Sequence, residues 1–273
     1  MQGVVEINAL EASQNYPKYV DIIIPAYNEE KRIKPVLDDV SNFINENKLS
    51  WRIFISVDGN DGTVNIIKKY QETCAFIFYN KSEERNGKGK AIKRILLKYQ
   101  NILNDIILIM DADNSIKFID IINNLNQIKY CDTLLFNRYN KRNKIPFYRY
   151  FLGRSFNIII KGILHLNIND TQTGYKVFKK KALMDSVNKV STCGTFFDVS
   201  LLYHIKKENY RISEIDASTY NHNKNSTFKV FTLTFNMFIS IIAFRLRHSN
   251  VYNYIPEKIK SKLLHIYFKF VKY

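Results

Sequence analysis

Cysteine is scarce in this chain, with only Cys74, Cys131 and Cys193 in 273 residues. They lie far apart, are odd in number and form no Cys-x-x-Cys pair. That spacing argues against a disulfide framework, a zinc ribbon or a dithiol redox centre, and the expected setting is a reducing cytosol. The five histidines form no His-x-x-x-His or His-Glu-x-x-His pattern, so a zinc hydrolase finds no support. Long apolar runs are also missing. The nearest, residues 230–244, VFTLTFNMFISIIAF, carries Thr232, Thr234, Asn236 and Ser240. It falls short of the ~20 residues that a membrane span needs, and it reads as a buried or membrane-surface helix. The opening stretch, MQGVVEINALEASQNYPKY, has no basic start followed by an apolar run and does not read as a signal peptide. Acidic residues are the minority charge, 25 Asp+Glu against 41 Lys+Arg, for a formal net charge of +16. That balance suits an anionic partner: nucleic acid, an acidic membrane or a phosphorylated substrate. A Lys-, Asn- and Ile-rich composition accounts for part of the charge. Hydrophobic residues make up 46 % of the chain, enough for a sizeable core, which excludes global disorder.

What is present is an alternation of strand and helix patterns. Residues 20–27, VDIIIPAY, form a continuous β-branched run, as in a strand buried on both faces. Ile33, Val36, Leu37, Val40, Phe43 and Ile44 then recur at helical spacing. Further strands are expected over residues 53–57, 75–79, 105–110 and 132–136, with helices over 63–74, 89–99 and 118–128 between them. This order predicts an α/β fold with parallel strands. In such sheets ligands bind beyond the carboxyl ends of the strands. Three polar clusters sit there, at residues 25–30, 58–63 and 111–115. From about Asn137 the pattern is less regular and rich in aromatics. In the last stretch, residues 256–273, Ile259, Leu263, Ile266, Tyr267 and Phe270 share one helical face, while Lys258, Lys260, Lys262, Lys269 and Lys272 lie mostly elsewhere. That is the pattern of an interfacial amphipathic helix, or of a terminal helix packed on the protein.

The chemistry centres on Asp111-Ala112-Asp113, directly after an apolar strand. Two carboxylates one residue apart at a strand end suit a hard divalent cation, Mg²⁺ or Mn²⁺, that also binds substrate phosphates. Gly87-Lys88-Gly89 offers backbone amides and a cation to phosphate, although no Walker A pattern is present. Asp58 or Asp61 is placed to accept hydrogen bonds from a base or ribose; both also fit a turn.

Taken in order, these clusters resemble family 2 glycosyltransferases, which have the GT-A fold: a Rossmann-like, mostly parallel sheet flanked by helices. The matching runs are Ile24-Pro25-Ala26-Tyr27-Asn28-Glu29, Val57-Asp58-Gly59-Asn60-Asp61-Gly62-Thr63, Asn86-Gly87-Lys88-Gly89-Lys90-Ala91 and Asp111-Ala112-Asp113. Two later runs, Asp170-Thr171-Gln172-Thr173-Gly174-Tyr175-Lys176 and Phe196-Phe197-Asp198-Val199, are similar to motifs of the polyprenyl-phosphate branch. The stretch Asp111–Phe118 and the run Phe244-Arg245-Leu246-Arg247 resemble the dolichyl-phosphate β-glucosyltransferase family in particular.

The resemblance implies transfer of glucose from UDP-glucose to a polyprenyl or dolichyl phosphate, with inversion. The alternatives are transfer of mannose or an N-acetylhexosamine to a polyprenyl phosphate or another acceptor, or a non-catalytic basic binding protein. Pro25, Tyr27, Glu29, Asp58, Asp61, Lys88, Asp111, Ala112 and Asp113 are then the expected donor-binding residues, with Asp111 and Asp113 as metal ligands. Asp113, Asp170 and Asp198 are the expected catalytic set, and Arg138, Arg149 and Arg154 the expected acceptor-phosphate contacts, since guanidinium binds phosphate bidentately. Ser200 stands where the family often has Glu. A phosphate monoester is already ionised near neutral pH (second pKa about 6), so Asp170 and Asp198 need only orient sugar or acceptor. A catalytic domain is expected over residues 18–225 and a membrane-associating helical extension over 226–273. The expected location is peripheral, on the cytosolic face of a membrane, with no nucleic-acid partner. Homo-oligomerisation stays open.

Overall fold

The β-branched run after Val20 becomes the middle of a seven-stranded sheet. The computed structural model describes residues 16–140, 143, 145–191, 194, 196–220, 230–249, 252, 254–257 and 259–261, without the side chains of Arg149 and residues 230–237. Strand β1 (Asp21–Tyr27) pairs in parallel with β2 (Arg52–Asp58) on one side and β4 (Ile106–Ile109) on the other. Strand β3 (Ile77–Ser82) forms the edge beside β2. The crossovers are α1 (Ile33–Glu46), α2 (Thr63–Gln71) and α3 (Lys88–Tyr99). These strands and helices fall where the periodicity predicts them, except that β3 starts two residues later than the expected 75–79 and runs three further. The expected helix over residues 118–128 is shorter: α4 (Phe118–Asn124) tightens into a 3₁₀ turn over Leu125–Tyr130.

The second half adds two strands that the hydrophobic pattern does not announce. After β5 (Thr133–Asn137) and the long helix α5 (Phe147–Leu164), β6 (Lys176–Lys179) inserts antiparallel between β4 and β5. Helices α6 (Lys180–Val187) and α7 (Phe197–Lys207) lead to β7 (Ile212–Asp216), which lies parallel to β5. The sheet order is β3-β2-β1-β4-β6-β5-β7, and β6 alone runs backward. The order changes direction between β1 and β4, which is where such sheets open a ligand crevice at their carboxyl edge.

Successive residues of β1 serve opposite faces of the sheet, as a pleat requires. Ile22 and Ile24 pack with Val36, Leu37, Val40, Trp51 and Phe118; Ile23 packs with Phe54, Ile95, Ile107 and Phe197. Helix α8 (Val230–Arg247) lies along α5 and buries Ile241 and Phe244 in that second cluster. Among the described residues no helix is long and apolar enough to cross a membrane. The amphipathic pattern of the last stretch falls largely on Leu263, Ile266, Tyr267 and Phe270, which lie outside the described residues.

Candidate active site

The loops after β1 and β2 are stitched together before they meet any ligand. The Glu29 amide donates to Thr63 Oγ1 (2.9 Å), and the Glu30 amide donates to Asp61 Oδ2 (3.0 Å). Asp61 Oδ1 also accepts from the Thr63 amide and hydroxyl, so Asp61 anchors the start of α2. Gly59 has φ +97°, and a Cβ there would meet Asn28 Oδ1 at 2.1 Å; only glycine fits. Asp58 faces the other way. Its carboxylate takes hydrogen bonds from Arg94 (2.5 Å) and the Asn86 amide (2.8 Å), and it lines an open cleft of about 150 Å³. The two aspartates left open by the sequence thus have different positions, Asp58 in the cleft and Asp61 in the turn.

Pro25, Tyr27, Glu29, Gly87, Lys88 and Asp111 line the same cleft. Arg85, which belongs to no motif, lies with its guanidinium 4.3 Å from the centre of the Tyr27 ring. Burial raises the Glu29 carboxyl to about 7; Arg32 opposes the rise, and the charges of Asp113 and Asp111 add to it. Glu29 therefore feels both carboxylates of the Asp-x-Asp pair.

Asp111 and Asp113 are held from below by the segment that leads into the backward strand. Gly174 lies so close to Asp111 that an added Cβ would meet its Oδ2 at 1.8 Å. The Tyr175 hydroxyl donates to Asp113 Oδ1 (3.3 Å), and the Ser115 amide donates to the same atom (3.0 Å). Ala112 between them is buried. Because β6 is antiparallel, its leading loop reaches the carboxyl edge of β4 and meets the aspartates there.

Behind this pair runs a chain of alternating charge. Lys88 Nζ donates to Asp111 Oδ1 (2.9 Å) and lies 3.6 Å from Asp198 Oδ2. Asp198 Oδ1 accepts from Lys176 Nζ (2.9 Å), which also donates to the Thr173 carbonyl. Burial alone pulls Lys88 down and Asp198 up. For Lys88 the neighbouring Asp111 and Asp198 win and raise it; for Asp198, Lys176 and Lys88 win and hold it below the usual carboxylate range. Lys176 is the exception: burial outweighs Asp198 and lowers its ammonium.

Of the expected acceptor arginines, Arg138 is engaged within the protein. Its Nε and Nη2 make a two-pronged contact with Asp170 at 2.7 and 2.9 Å, and its amide donates to Asp170 Oδ2 at 3.1 Å. Asp170 is fully buried, and Glu214 fixes its loop by accepting from the Asn169 and Asp170 amides. Arg154 sits on α5 close enough to Tyr139 to influence it electrostatically. The Arg149 side chain lies outside the described residues. Sequence reasoning marked the Asp170–Lys176 run but assigned no work to Gly174, Tyr175 or Lys176. Arg85, Arg94 and Glu214 carry no local signal.

Residues 21–187 match the family model described as glycosyl transferase family 2. The chain belongs to that family. A dolichyl-phosphate beta-glucosyltransferase of Trichomonas vaginalis is 29 % identical to this glycosyltransferase over 230 residues, 78 % of the chain and 68 % of the relative. One of the same name from Dictyostelium discoideum is 28 % identical over 253 residues, 84 % of the chain and 75 % of the relative. Among solved structures, glucosyl-3-phosphoglycerate synthase from Mycobacterium tuberculosis, in complex with Mn²⁺, UDP-glucose and glycerol 3-phosphate, superposes with a TM-score of 0.59. It is 14 % identical, and the match covers 90 % of this chain and 86 % of that one. The architecture is therefore the GT-A fold, and this member of the family is a glycosyltransferase.

Proposed function

We propose that this glycosyltransferase moves glucose from UDP-glucose to a dolichyl or other polyprenyl phosphate, with inversion, as a peripheral enzyme at the cytosolic face of a membrane. The observation that supports this most is the cleft at the sheet's switch point, where Asp111, Glu29, Asp58 and Lys88 line one wall system. The relatives named above are called dolichyl-phosphate beta-glucosyltransferases, which supports the sugar and the acceptor in this reading.

A divalent cation, Mg²⁺ or Mn²⁺, belongs to this reading. Among the described residues no group of three His, Cys, Asp or Glu is placed to hold a metal alone. Asp111 and Asp113 fit a hard cation whose other positions are filled by diphosphate oxygens and water. Bound there, the cation would neutralise charge on the departing UDP. Lys88 adds a protonated cation at the same point, and Gly174 and Tyr175 keep the aspartates in place. Tyr27, with Arg85 over its ring, and Asp58 form the base and ribose end of the cleft.

Inversion at the sugar normally needs a base for the incoming hydroxyl. The buried carboxylates Asp170 and Asp198 are both ion-paired, to Arg138 and Lys176. A phosphate acceptor, already ionised near neutral pH, asks for no such base. Asp170 and Asp198 then act as positioning residues. Arg138 acts through Asp170, and Arg149 and Arg154 remain the direct phosphate contacts. Residues 226–273 serve as the membrane-associating part.

The test is incubation with phytanyl phosphate, Mn²⁺ or Mg²⁺ and a panel of nucleotide sugars. Metal-dependent glucosylation of the lipid from UDP-glucose is expected. Full turnover in chelator would sink the metal. Faster transfer from GDP-mannose would replace the sugar, and donor hydrolysis without any lipid product would remove the acceptor.

A further inference from the structure

Helix α5 has two unlike faces. Inward, Phe156 and Ile160 are buried, and Gly153 sits so close to Tyr139 that an added Cβ would meet its hydroxyl oxygen at 1.9 Å. On the same side Asn157 Nδ2 donates to the Asn169 carbonyl (2.6 Å), and Lys161 Nζ donates to Asn169 Oδ1 (2.9 Å). Opposite them, at i, i+4, i+11 and i+15, come Phe147, Phe151, Ile158 and Gly162, with Arg154 on the flank between the two sides. Phe147 is 82 %, Phe151 61 % and Ile158 64 % exposed, and the space beyond Gly162 is open. Helix α8, packed alongside, repeats the motif with exposed Phe238 and Ile242 followed by Arg245. Single exposed apolar side chains are ordinary; three on one helical stripe, beside two on the adjoining helix, are not scattered.

Charge identifies what covers this stripe. Residues 133–169, which contain α5, hold seven Lys or Arg and no Asp or Glu. Residues 217–256, which contain α8, hold four Lys or Arg and again no Asp or Glu. All 25 acidic residues of the chain lie elsewhere, although these segments are more than a quarter of it. Aromatic and aliphatic side chains on acid-free, basic segments of the chain match the boundary of a bilayer with anionic headgroups, where apolar groups enter the acyl edge and cations meet phosphate.

We propose that the outer face of α5, extended by α8, docks on an anionic lipid bilayer, with Phe147, Phe151 and Ile158 entering the acyl boundary. The proposal rests on the lipid-phosphate reading above and gives it a geometry. The inner face of the same helix holds the Asn169–Thr171 loop and Tyr139 beside Arg138. A docked α5 therefore sets the headgroup layer about one helix diameter, roughly 10 Å, from the Asp170–Arg138 pair.

The experiment is flotation of the full chain with vesicles of phosphatidylcholine alone and of equal phosphatidylcholine and phosphatidylserine. Wild type should float with the anionic vesicles. The combined Phe147→Ser, Phe151→Ser and Ile158→Ser variant should partition roughly a hundredfold less, given the apolar surface removed. Leu97→Ser with Tyr130→Ser removes comparably exposed apolar groups from another part of the surface and should float like wild type. Thermal melting of each variant confirms that it folds. Equal flotation of the triple variant and wild type would overturn the proposal, as would equal losses in both variants. A wild-type dimer that the triple variant cannot form, with no flotation of either, would overturn it in favour of a second copy. Transfer to a short water-soluble prenyl phosphate is measured in parallel. It survives in the triple variant if only docking is lost, and it is absent from wild type if the acceptor reading itself is wrong.

Discussion

Replacing Gly174 with alanine separates the seating of Asp111 from the stability of the fold. The added Cβ would meet Asp111 Oδ2 at 1.8 Å and Cγ at 2.3 Å. Non-bonded contact needs roughly 3.5 Å, so the carboxylate must move by about 1.5 Å. It can do so, because the Asp111 side chain is 37 % exposed and swings toward the cleft. The movement breaks the 2.9 Å bond from Lys88 and takes one of the two paired carboxylates off its position. Misplacement on this scale costs on the order of 10²-fold in rate, about 2.7 kcal/mol of barrier. The backbone is not strained, since Gly174 does not adopt a positive φ. Alanine even restricts the unfolded chain by about 0.4–1 kcal/mol, which offsets part of the crowding. Transfer of radiolabelled glucose across an Mn²⁺ titration, with thermal melting alongside, is the assay. The expected result is a kcat/KM down about a hundredfold, a raised Mn²⁺ requirement and a melting point within a few degrees of wild type. Unchanged kinetics would refute the reasoning. So would a large fall in melting temperature, which would place Gly174 in the packing and not in the site.

Three further outcomes follow from the buried charges. Asp198→Asn leaves Lys176 buried without its carboxylate and should cost about 3–5 kcal/mol in urea unfolding, most of it regained by adding Lys176→Met; no recovery in the double variant would refute the pairing. Arg138→Ala strands the fully buried Asp170 and should destabilise by a similar 3–5 kcal/mol, so an unchanged urea midpoint would show that Asp170 finds another partner. Burial lowers His204 from 6.5 to about 4, and neither ring nitrogen has a hydrogen-bond partner among the described residues. The unfolded chain therefore takes up the proton first: the contribution is complete above pH 6.5 and is lost as pH falls toward 4, by at most about 3 kcal/mol. His204→Leu should flatten that part of the pH–stability curve, and an undiminished slope would assign it to other groups.

The position of the cleft was legible because its residues sit at the ends of strongly patterned strands. Tyr27, Asp58 and Asp111 each end or follow a run of β-branched and other apolar residues that only a doubly covered strand needs. Strand β6 was not legible: Lys-Val-Phe-Lys is four residues long, and its first lysine is buried against a carboxylate, which reverses the usual rule for a charged side chain. The partners of the ionic groups were hidden for a related reason. Arg138 reads as a phosphate contact because guanidinium suits phosphate, and the fold pairs it with Asp170, 32 residues away, a partner that spacing does not reveal. Sequence spacing says that a charge is present; only the fold says what neutralises it. Arg85 and Glu214 lie in segments with no periodicity at all, so nothing local distinguished them from solvated charge.

The backward strand also fixes an order of assembly. Strands β1 to β4, the cleft residues from Pro25 to Asp111 and the second aspartate, Asp113, leave the ribosome within the first 113 positions, as successive parallel units joined by local crossovers. Strand β5 comes next but finds no neighbour, because its partners are β6 and β7, made some forty and eighty residues later. Until Lys176–Lys179 arrives, β4 is an open edge with unpaired amides and carbonyls, the kind of surface on which nascent chains go astray. The strand that seals that edge also brings Gly174 and Tyr175 beneath the aspartates. Closure of the sheet and completion of the acidic pair are therefore one event, so a chain halted short of this strand would hold the cleft without a properly seated Asp111.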